Sequence, residues 1–435
     1  MSEALRIGIA GLGTVGAGTL RLLDTHADQI AARCGRPINV VAVSARERRR
    51  DRGVDITPFA WHDNPVELAA RGDIDVVVEL IGGSVGPAKA LVDTAIAAGK
   101  HVVTANKALL AHHGTTLAIA AEKAGVTIAY EAAVAGGIPI IKTLREGLAA
   151  NRIRRVYGIL NGTCNYILTT MRETGREFAD VLGDAQKLGY AEADPSFDID
   201  GVDAAHKLAI LTSLAFGCRM NFAGIHVEGI RNVSAIDIAY ASELGYRIKL
   251  LGIASLVNGA VEQRVHACMV PVGTPIAHIE GVFNAVVTEG DFVGQNMAEG
   301  RGAGAGPTAS AVVADLMDLA RGQILPAFGL PASDLVDRPA QPMAKHRGAY
   351  YVRLMVRDRP GVIADVAAAL RDESVSMEAM LQRGRAPDET VPVVLTTHVT
   401  EEAGMRRALD RIATIGAVTE PPHMIRIEPL QMPNE

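Results

Sequence analysis

Apolar and polar positions along the chain fall into two rhythms. Short apolar runs, LRIGIA (5–10), INVVAVSA (38–45), DVVVELIG (75–82), HVVT (101–104) and TIAYEA (127–132), are separated by longer stretches such as GPAKALVDTAIAAGK, which are compatible with helix. Runs this short and this rich in branched residues, without strict in-and-out alternation, are strands buried on both faces, as in parallel sheets covered by helices. The alternation therefore predicts a doubly wound parallel sheet of the Rossmann type over residues 1–135.

From 136 to 330 strand and helix signals mix, with several glycine-rich turns, which predicts a separate α+β domain for catalysis and dimerisation. It closes on GRGAGAGPTASAVVADLMDLAR (300–321), a flexible loop before a long amphipathic helix that returns to the first domain. Gly306 in that loop either lets the backbone approach a cofactor or serves only as a hinge. Residues 331–349 are polar and hold Pro331, Pro339 and Pro342, the composition of an interdomain linker. From 350 to 430 the order strand, helix, strand, strand, helix, strand predicts a ferredoxin-like βαββαβ module.

Composition narrows the function. A chain of 435 residues exceeds one ordinary core. It is 49% hydrophobic but only 4% aromatic, a profile that suits aliphatic α/β packing. A net charge of −6 offers no broad electrostatic footprint for nucleic acid or a membrane surface, so small-molecule chemistry is expected. Cys34, Cys164, Cys218 and Cys268 form no CxxC pair, which fits a reducing cytoplasm. With neither a leader pattern nor a long apolar span, a soluble protein is expected.

Gly11, Gly13 and Gly16 directly follow the first predicted strand and open a helix, TVGAGTLRLLDTH. In that setting GxGxxG marks a dinucleotide site: a tight turn, close approach to a pyrophosphate, and a helix N-terminus aimed at the anion. The second strand ends without the acid that takes adenine-ribose hydroxyls. Arg46, Arg48, Arg49, Arg50 and Arg52 follow instead, a cluster suited to a 2′-phosphate, so NADP is expected over NAD. The plainer reading makes most of these arginines a solvated face.

GYAEADPSFDIDGVDAAHKL (189–208) gathers Glu192, Asp194, Asp198, Asp200 and Asp203 just before Lys207. On a helix beginning near Val202, Lys207 shares a stripe with Leu211 and Leu214, and Asp203 lies one turn earlier. An ammonium on an apolar face needs a charged partner, a lowered pKa, or both, and such a lysine can carry protons near neutrality. The alternative is an ordinary surface pair of about 0.3–0.5 kcal/mol. Two other segments can join the site. Lys107 in HVVTANKALLAHHG follows a strand end, where α/β sheets hold ligands, and Gly162 and Thr163 in NGTCNYIL stand at a turn into a helix able to take a carboxylate.

GLGTVG, ELIGG (79–83), TANK (104–107), EAAVAGGIP (131–139), NGTCNYIL and the 189–208 stretch together resemble homoserine dehydrogenase, and the final module with DRPG resembles an ACT domain. The resemblance runs in order over nearly the whole chain. It implies NAD(P)-dependent interconversion of L-homoserine and L-aspartate 4-semialdehyde, with Lys207 and Lys107 as catalytic lysines. The same resemblance makes Glu192, Asp198, Asp203, Gly162, Thr163 and Tyr190 substrate-side residues, with Glu192 the partner of the substrate ammonium. Gly11, Gly13, Thr14, Val15, Gly16, Arg46, Arg49, Lys107 and Gly306 would face the cofactor. Backbone groups of Glu131, Val134, Gly136 and Ile138 would bind a monovalent cation such as sodium. The terminal module implies threonine as effector, with Asp358 and Gly361 at its site, and a homodimer or homotetramer.

Two other readings stand beside it. A semialdehyde dehydrogenase would use Cys164 as thiol nucleophile, although no histidine lies near it in sequence, and its thiol also reads as buried and inert. A non-catalytic sensor would bind a dinucleotide and an amino acid above a vestigial pocket.

Overall fold

The computed structural model describes residues 3–383 and 389–430. Its N-terminal part runs β1 (Leu5–Ala10), α1 (Thr14–Thr25), α2 (Ala27–Cys34), β2 (Ile38–Ser44), β3 (Ala60–His62), α3 (Glu67–Ala70) and β4 (Val76–Glu79). It continues with α4 (Pro87–Ala97), β5 (His101–Thr104), α5 (Lys107–Lys123) and β6 (Ile128–Ala129). The six strands are parallel in the order β3-β2-β1-β4-β5-β6. Chain direction across the sheet reverses between β1 and β4, and the crevice beyond those strand ends is where such folds bind ligands.

The absence of alternation in the sequence has a direct cause. Ile7, Ile9, Val76, Val78 and Val103 pack into one core, while Ala42, Val77 and Val102 point the opposite way into another, so both faces of the inner strands are buried. β4 is shorter than the apolar run 75–82, because its end is capped from within: the Glu79 carboxylate accepts from the backbone N–H of Ile81 (2.8 Å) and Gly82 (3.0 Å). Likewise β6 stops at Ala129, and Glu131–Ala133 form a 3-10 turn.

The middle of the chain holds α6 (Ile140–Lys142), β7 (Ile153–Ile159), α7 (Gly162–Thr174), α8 (Phe178–Lys187), α9 (Ser196–Ile199) and α10 (Val202–Phe216). Then come β8 (His226–Val227), α11 (Ala235–Glu243), β9 (Tyr246–Val257), β10 (Ala260–Pro271), β11 (Phe283–Gly290), β12 (Gly294–Arg301) and α12 (Ala305–Ala320). α12 returns to the first sheet and lies on α1 so closely that a Cβ at Gly18 would sit 2.7 Å from the Ala305 carbonyl oxygen.

The last part comprises β13 (Arg347–Arg357), α13 (Val362–Asp372), β14 (Met377–Gln382), β15 (Thr390–Thr397), β16 (Thr400–Glu401), α14 (Glu402–Ala413) and β17 (His423–Ile427). Its sheet is continuous with that of the middle region: β17 pairs in parallel with β10, Cys268 opposite Arg426 and Met269 opposite Ile427. An eleven-stranded sheet results, with the main path β12-β11-β7-β9-β10-β17-β13-β15-β14.

Residues 331–349 differ from the tether their prolines predict. Val336 N–H donates to Gly217 O, Val336 O accepts from Arg219, Pro339 O accepts from Val261, and Gln341 N–H donates to Val261 O. Prolines cannot donate, but their carbonyls and their neighbours' amides still pair, and so the segment is fastened along the middle region. No helix among the described residues is long and apolar enough to cross a membrane.

Candidate active site

Two clefts flank the glycine turn between β1 and α1. One, of about 510 Å³, is lined by Gly11, Gly13, Ser44, Arg46, Arg50 and Arg52, with Leu80 to Gly82 opposite. The other, of about 610 Å³, is lined by Thr14, Val15, Lys107, Asp203 and Lys207 among others. The turn needs glycine at defined points. Gly11 has φ +96°, and a Cβ there would lie 2.4 Å from Leu80 O; one at Gly16 would lie 2.1 Å from Gly11 O. Arg46 thus faces the first cleft, whereas Arg49 lines a neighbouring depression with Arg48, Ile56, Thr57 and Trp61.

The second cleft is built around Asp203, 4% exposed, in the first turn of α10. Its Oδ2 accepts from Lys207 Nζ at 2.7 Å and its Oδ1 lies 3.0 Å from Lys107 Nζ, so one carboxylate holds both lysines. Lys107 comes from the N-terminus of α5, after the end of β5, and α5 packs against α10. Burial pushes the Asp203 carboxyl up, but the ammonium groups of Lys207 and Lys107 outweigh it and hold its pKa well below the ordinary range. The same carboxylate raises the pKa of Lys107 and keeps it charged against burial. Lys207, 7% exposed, gives a second hydrogen bond to Leu160 O at 2.6 Å, at the end of β7.

Asp198, on α9, faces the same cleft, and its pKa is raised by burial first and then by Asp203. Gly162 opens α7, and the Thr163 hydroxyl donates to Tyr190 O at 2.8 Å, so the stretch between α8 and α9 is fastened to that helix start. Glu192 is exposed and is not among the residues lining the cleft, while Tyr190 lines it and is 45% exposed. Gly302, Gly304 and Thr308 line the cleft in front of α12; Gly306 does not.

Glu131 is 2% exposed; its carboxylate accepts from the N–H groups of Ile141 and Lys142, both at 2.9 Å, and is unavailable as a free ligand. The chain after it bends through Ala135 at φ +49°, and Gly136 N–H donates to Gly302 O, which packs this loop under the cleft. In the last part of the chain, Gly361 (φ +94°) begins α13, and Asp358 accepts from Gln382 Nε2 at 3.3 Å.

Sequence reasoning missed Asn161, Phe197, Asn284 and Arg301. Asn161 donates to both Asp198 and Asp203, and the Phe197 ring lies 5.9 Å from Lys107 Nζ. Asn284 and Arg301 line the cleft from β11 and β12. Only Asn161 carried a local signal, standing where an N-cap residue precedes the predicted helix at Gly162. Cys164 is buried, its thiol donates to Asp198 O at 3.3 Å, and burial pushes its pKa well up, the opposite of an activated nucleophile.

A parallel dinucleotide-type sheet, a glycine turn at its switch point and a lysine pair on one buried carboxylate define a dinucleotide-dependent dehydrogenase. Comparison with known proteins gives the particular family. Family models match "Homoserine dehydrogenase, NAD binding domain" over residues 11–131, "Homoserine dehydrogenase" over 139–317 and "ACT domain" over 350–417. A homoserine dehydrogenase of Neisseria gonorrhoeae is 47% identical, covering 98% of this chain and 99% of its own. One from Pseudomonas aeruginosa is 46% identical, covering 98% and 100%. The crystal structure of a homoserine dehydrogenase from Thiobacillus denitrificans superposes with a TM-score of 0.93 at 48% identity, covering 99% of both chains. A hyperthermophilic archaeal homoserine dehydrogenase in complex with NADPH aligns over 73% of this chain and 97% of its own, with a TM-score of 0.63 and 26% identity. The chain belongs to the homoserine dehydrogenase family, NAD(P)-dependent oxidoreductases acting on the CH–OH group of homoserine.

Proposed function

We propose that this enzyme interconverts L-homoserine and L-aspartate 4-semialdehyde with NADP in preference to NAD, using Lys207 as acid/base and Lys107 as a fixed positive charge. The observation that carries the reading is the single carboxylate of Asp203 shared by both lysines in the cleft beside the glycine turn. When bound, the dinucleotide takes or gives the hydride at its nicotinamide ring. Lys207 spends two of its three N–H bonds on Asp203 and Leu160 O, and the third is free to exchange a proton with the substrate hydroxyl. Lys107, kept protonated by Asp203, stabilises the negative charge that grows on that oxygen.

Asp198 and Glu192 serve the substrate ammonium, Glu192 from the 189–195 stretch between α8 and α9. The free N–H groups at Gly162 and Thr163 take the substrate carboxylate. Arg46 and Arg49 would stand on the adenine side, and the place of Arg46 in the cleft beside the glycine turn, where it could meet a 2′-phosphate, supports the NADP preference. A monovalent cation such as sodium on backbone carbonyls of Glu131, Val134, Gly136 and Ile138 would stiffen the loop under the cleft. Threonine as effector near Asp358 and Gly361, a homodimer or homotetramer, and a cytoplasmic location with its four buried free thiols complete the reading.

The test is the rate of homoserine oxidation with NADP and with NAD, each with and without threonine. The expected result is a kcat/KM for NADP at least about tenfold higher, as one charge-assisted contact to a phosphate provides. Lys207→Ala is expected to lower kcat by a factor on the order of 10² to 10⁴ with a smaller change in KM. Near-native turnover in that variant, or a preference for NAD, would remove the corresponding part of the proposal.

A further inference from the structure

Asn161 sits between the end of β7 and the start of α7, in extended backbone (φ −127°, ψ 116°), 4% exposed. Its side chain is fully engaged. The Oδ1 atom accepts from Cys164 N–H at 2.8 Å and caps α7. The Nδ2 atom donates to Asp198 Oδ1 at 2.8 Å and to Asp203 Oδ2 at 2.9 Å. The cap leaves no doubt about which end of the amide is which, because only the oxygen can accept from a backbone N–H.

This places one neutral group with two N–H donors between two carboxylates. Asp198 and Asp203 repel each other, and each already suffers from burial. Asp203 is balanced by Lys107 and Lys207. Asp198 lies outside lysine contact distance among the described ion pairs; Asn161 donates to it, and the Thr163 hydroxyl, whose proton goes to Tyr190 O, lies 3.5 Å away. The preceding residue adds to the same frame: Leu160 O accepts from Lys207 at 2.6 Å and from Asn284 Nδ2 at 3.1 Å. Residues 160 and 161 thus hold one lysine and both acids from a single rigid strand end.

We propose that Asn161 is a positioning residue for this reaction: its carboxamide pins Asp198 and Asp203 side by side, so that substrate and lysines meet a carboxylate pair of fixed spacing. The proposal rests on the reading of Asp203, Asp198 and the two lysines as the reacting cluster. An aspartate at 161 would still cap the helix but would add a third negative charge where two donors are needed. A serine would cap it without charge but could bridge only one acid.

The two roles therefore separate. The experiment measures thermal unfolding and pH profiles of kcat and kcat/KM for Asn161→Asp and Asn161→Ser, with Lys207→Ala in parallel. The groups facing the site from the packed elements are Asp198 (α9), Asp203 and Lys207 (α10), Lys107 (α5), Arg301 (β12), Tyr190 and the Cys164 thiol (α7), with neutral Asn284 from β11. If Asn161 bridges the acids, kcat falls by about tenfold or more in both variants. In Asn161→Asp the acid limb of kcat/KM also moves to higher pH, since loss of the donor and gain of a like charge both raise the pKa of Asp198. If Asn161 only caps α7, Asn161→Ser unfolds near the wild-type temperature with a superimposable pH profile and a kcat within about twofold, and the proposal fails. An inactive Lys207→Ala beside wild-type-like Asn161 variants would overturn this inference alone; a Lys207→Ala of native turnover would overturn the site reading beneath it.

Discussion

At the scale of residues, the site shows how one buried carboxylate can order two cations, and a buried histidine beside it makes the fold sensitive to acid. His206 precedes Lys207, is 5% exposed, and stacks on Phe222 with centroids 4.5 Å apart. Its Nε2 lies 3.4 Å from Nε2 of His112, and its Nδ1 has no hydrogen-bond partner among the described residues. Burial first, then His112 and Lys107, push its pKa down to about 4. A histidine whose folded pKa lies below its unfolded value is neutral in the fold and protonated in the unfolded chain between the two, so the unfolded state gains protons as pH falls. Stability should decline from pH 6.5 towards about pH 4, by up to roughly 3 kcal/mol from this group. Urea unfolding of wild type and His206→Phe at pH 7 and pH 4.5 checks this. The variant should lose less stability on acidification, and equal losses would show that the histidine does not carry the effect.

Much of this residue-level arrangement was legible, and the missing parts have a common cause. Asp203 and Lys207 lie four apart on a helix, so their contact follows from local geometry alone. Lys107 was recognisable as a strand-end residue, but nothing local could say that it meets Lys207 on the same carboxylate. Asn161 and Phe197 act through partners brought in by tertiary packing. Glu192, read as the ammonium partner, stands exposed in the 189–195 stretch between α8 and α9, outside the lining of the cleft.

At the scale of elements, β1, β2 and β5 begin where the apolar runs begin, since their sequences are buried on both sides and bounded by glycine or polar residues. β3 escaped notice because AWH is short and only half-buried. The glycine turn after β1 is where element geometry becomes function. With a Cβ at position 16 only 2.1 Å from Gly11 O, Gly16→Ala must push the first turn of α1 away from the strand end and withdraw its N–H groups from the pyrophosphate. The dissociation constant for NADPH, read by its fluorescence, should rise by about tenfold or more while the fold is retained by circular dichroism. Unchanged affinity would mean that the turn does not touch the dinucleotide.

At the scale of the molecule, the sequence suggested a detachable regulatory module behind a proline-rich tether, and the structure joins that module to the middle region through a shared sheet and several ion pairs. β17 extends the sheet from β10. Arg426, buried between two acids, donates to Glu228 (2.7 Å) and Glu402 (2.6 Å), so β17 is tied to the strand β8 end and to α14 at once. Asp237 at the start of α11 accepts from Tyr351 Oη (3.0 Å) and Arg353 Nε (2.8 Å) of β13. Pairing partners some 150 residues apart carry no local signature, which is why this seam was invisible in the sequence.

The seam also reaches towards the acids of the site. Glu228 N–H donates to Val265 O of β10, and Ile230 N–H donates to Ile199 O, one residue from Asp198. Removing residues 345–435 would strip β17 from β10, leave Glu228 and Asp237 without Arg426 and Arg353, and expose the β10 edge at Cys268 and Met269. The truncated chain should therefore fail to give a soluble, cooperatively unfolding protein. Arg426→Met, which keeps the chain whole, should lose up to about 3 kcal/mol in urea unfolding, because the buried Glu402 and the part-exposed Glu228 are then left to share Arg406. A truncated protein that unfolds at the wild-type temperature and turns over homoserine would show that the module is an appendage. A soluble, inactive truncation would instead place the seam in the support of the active site.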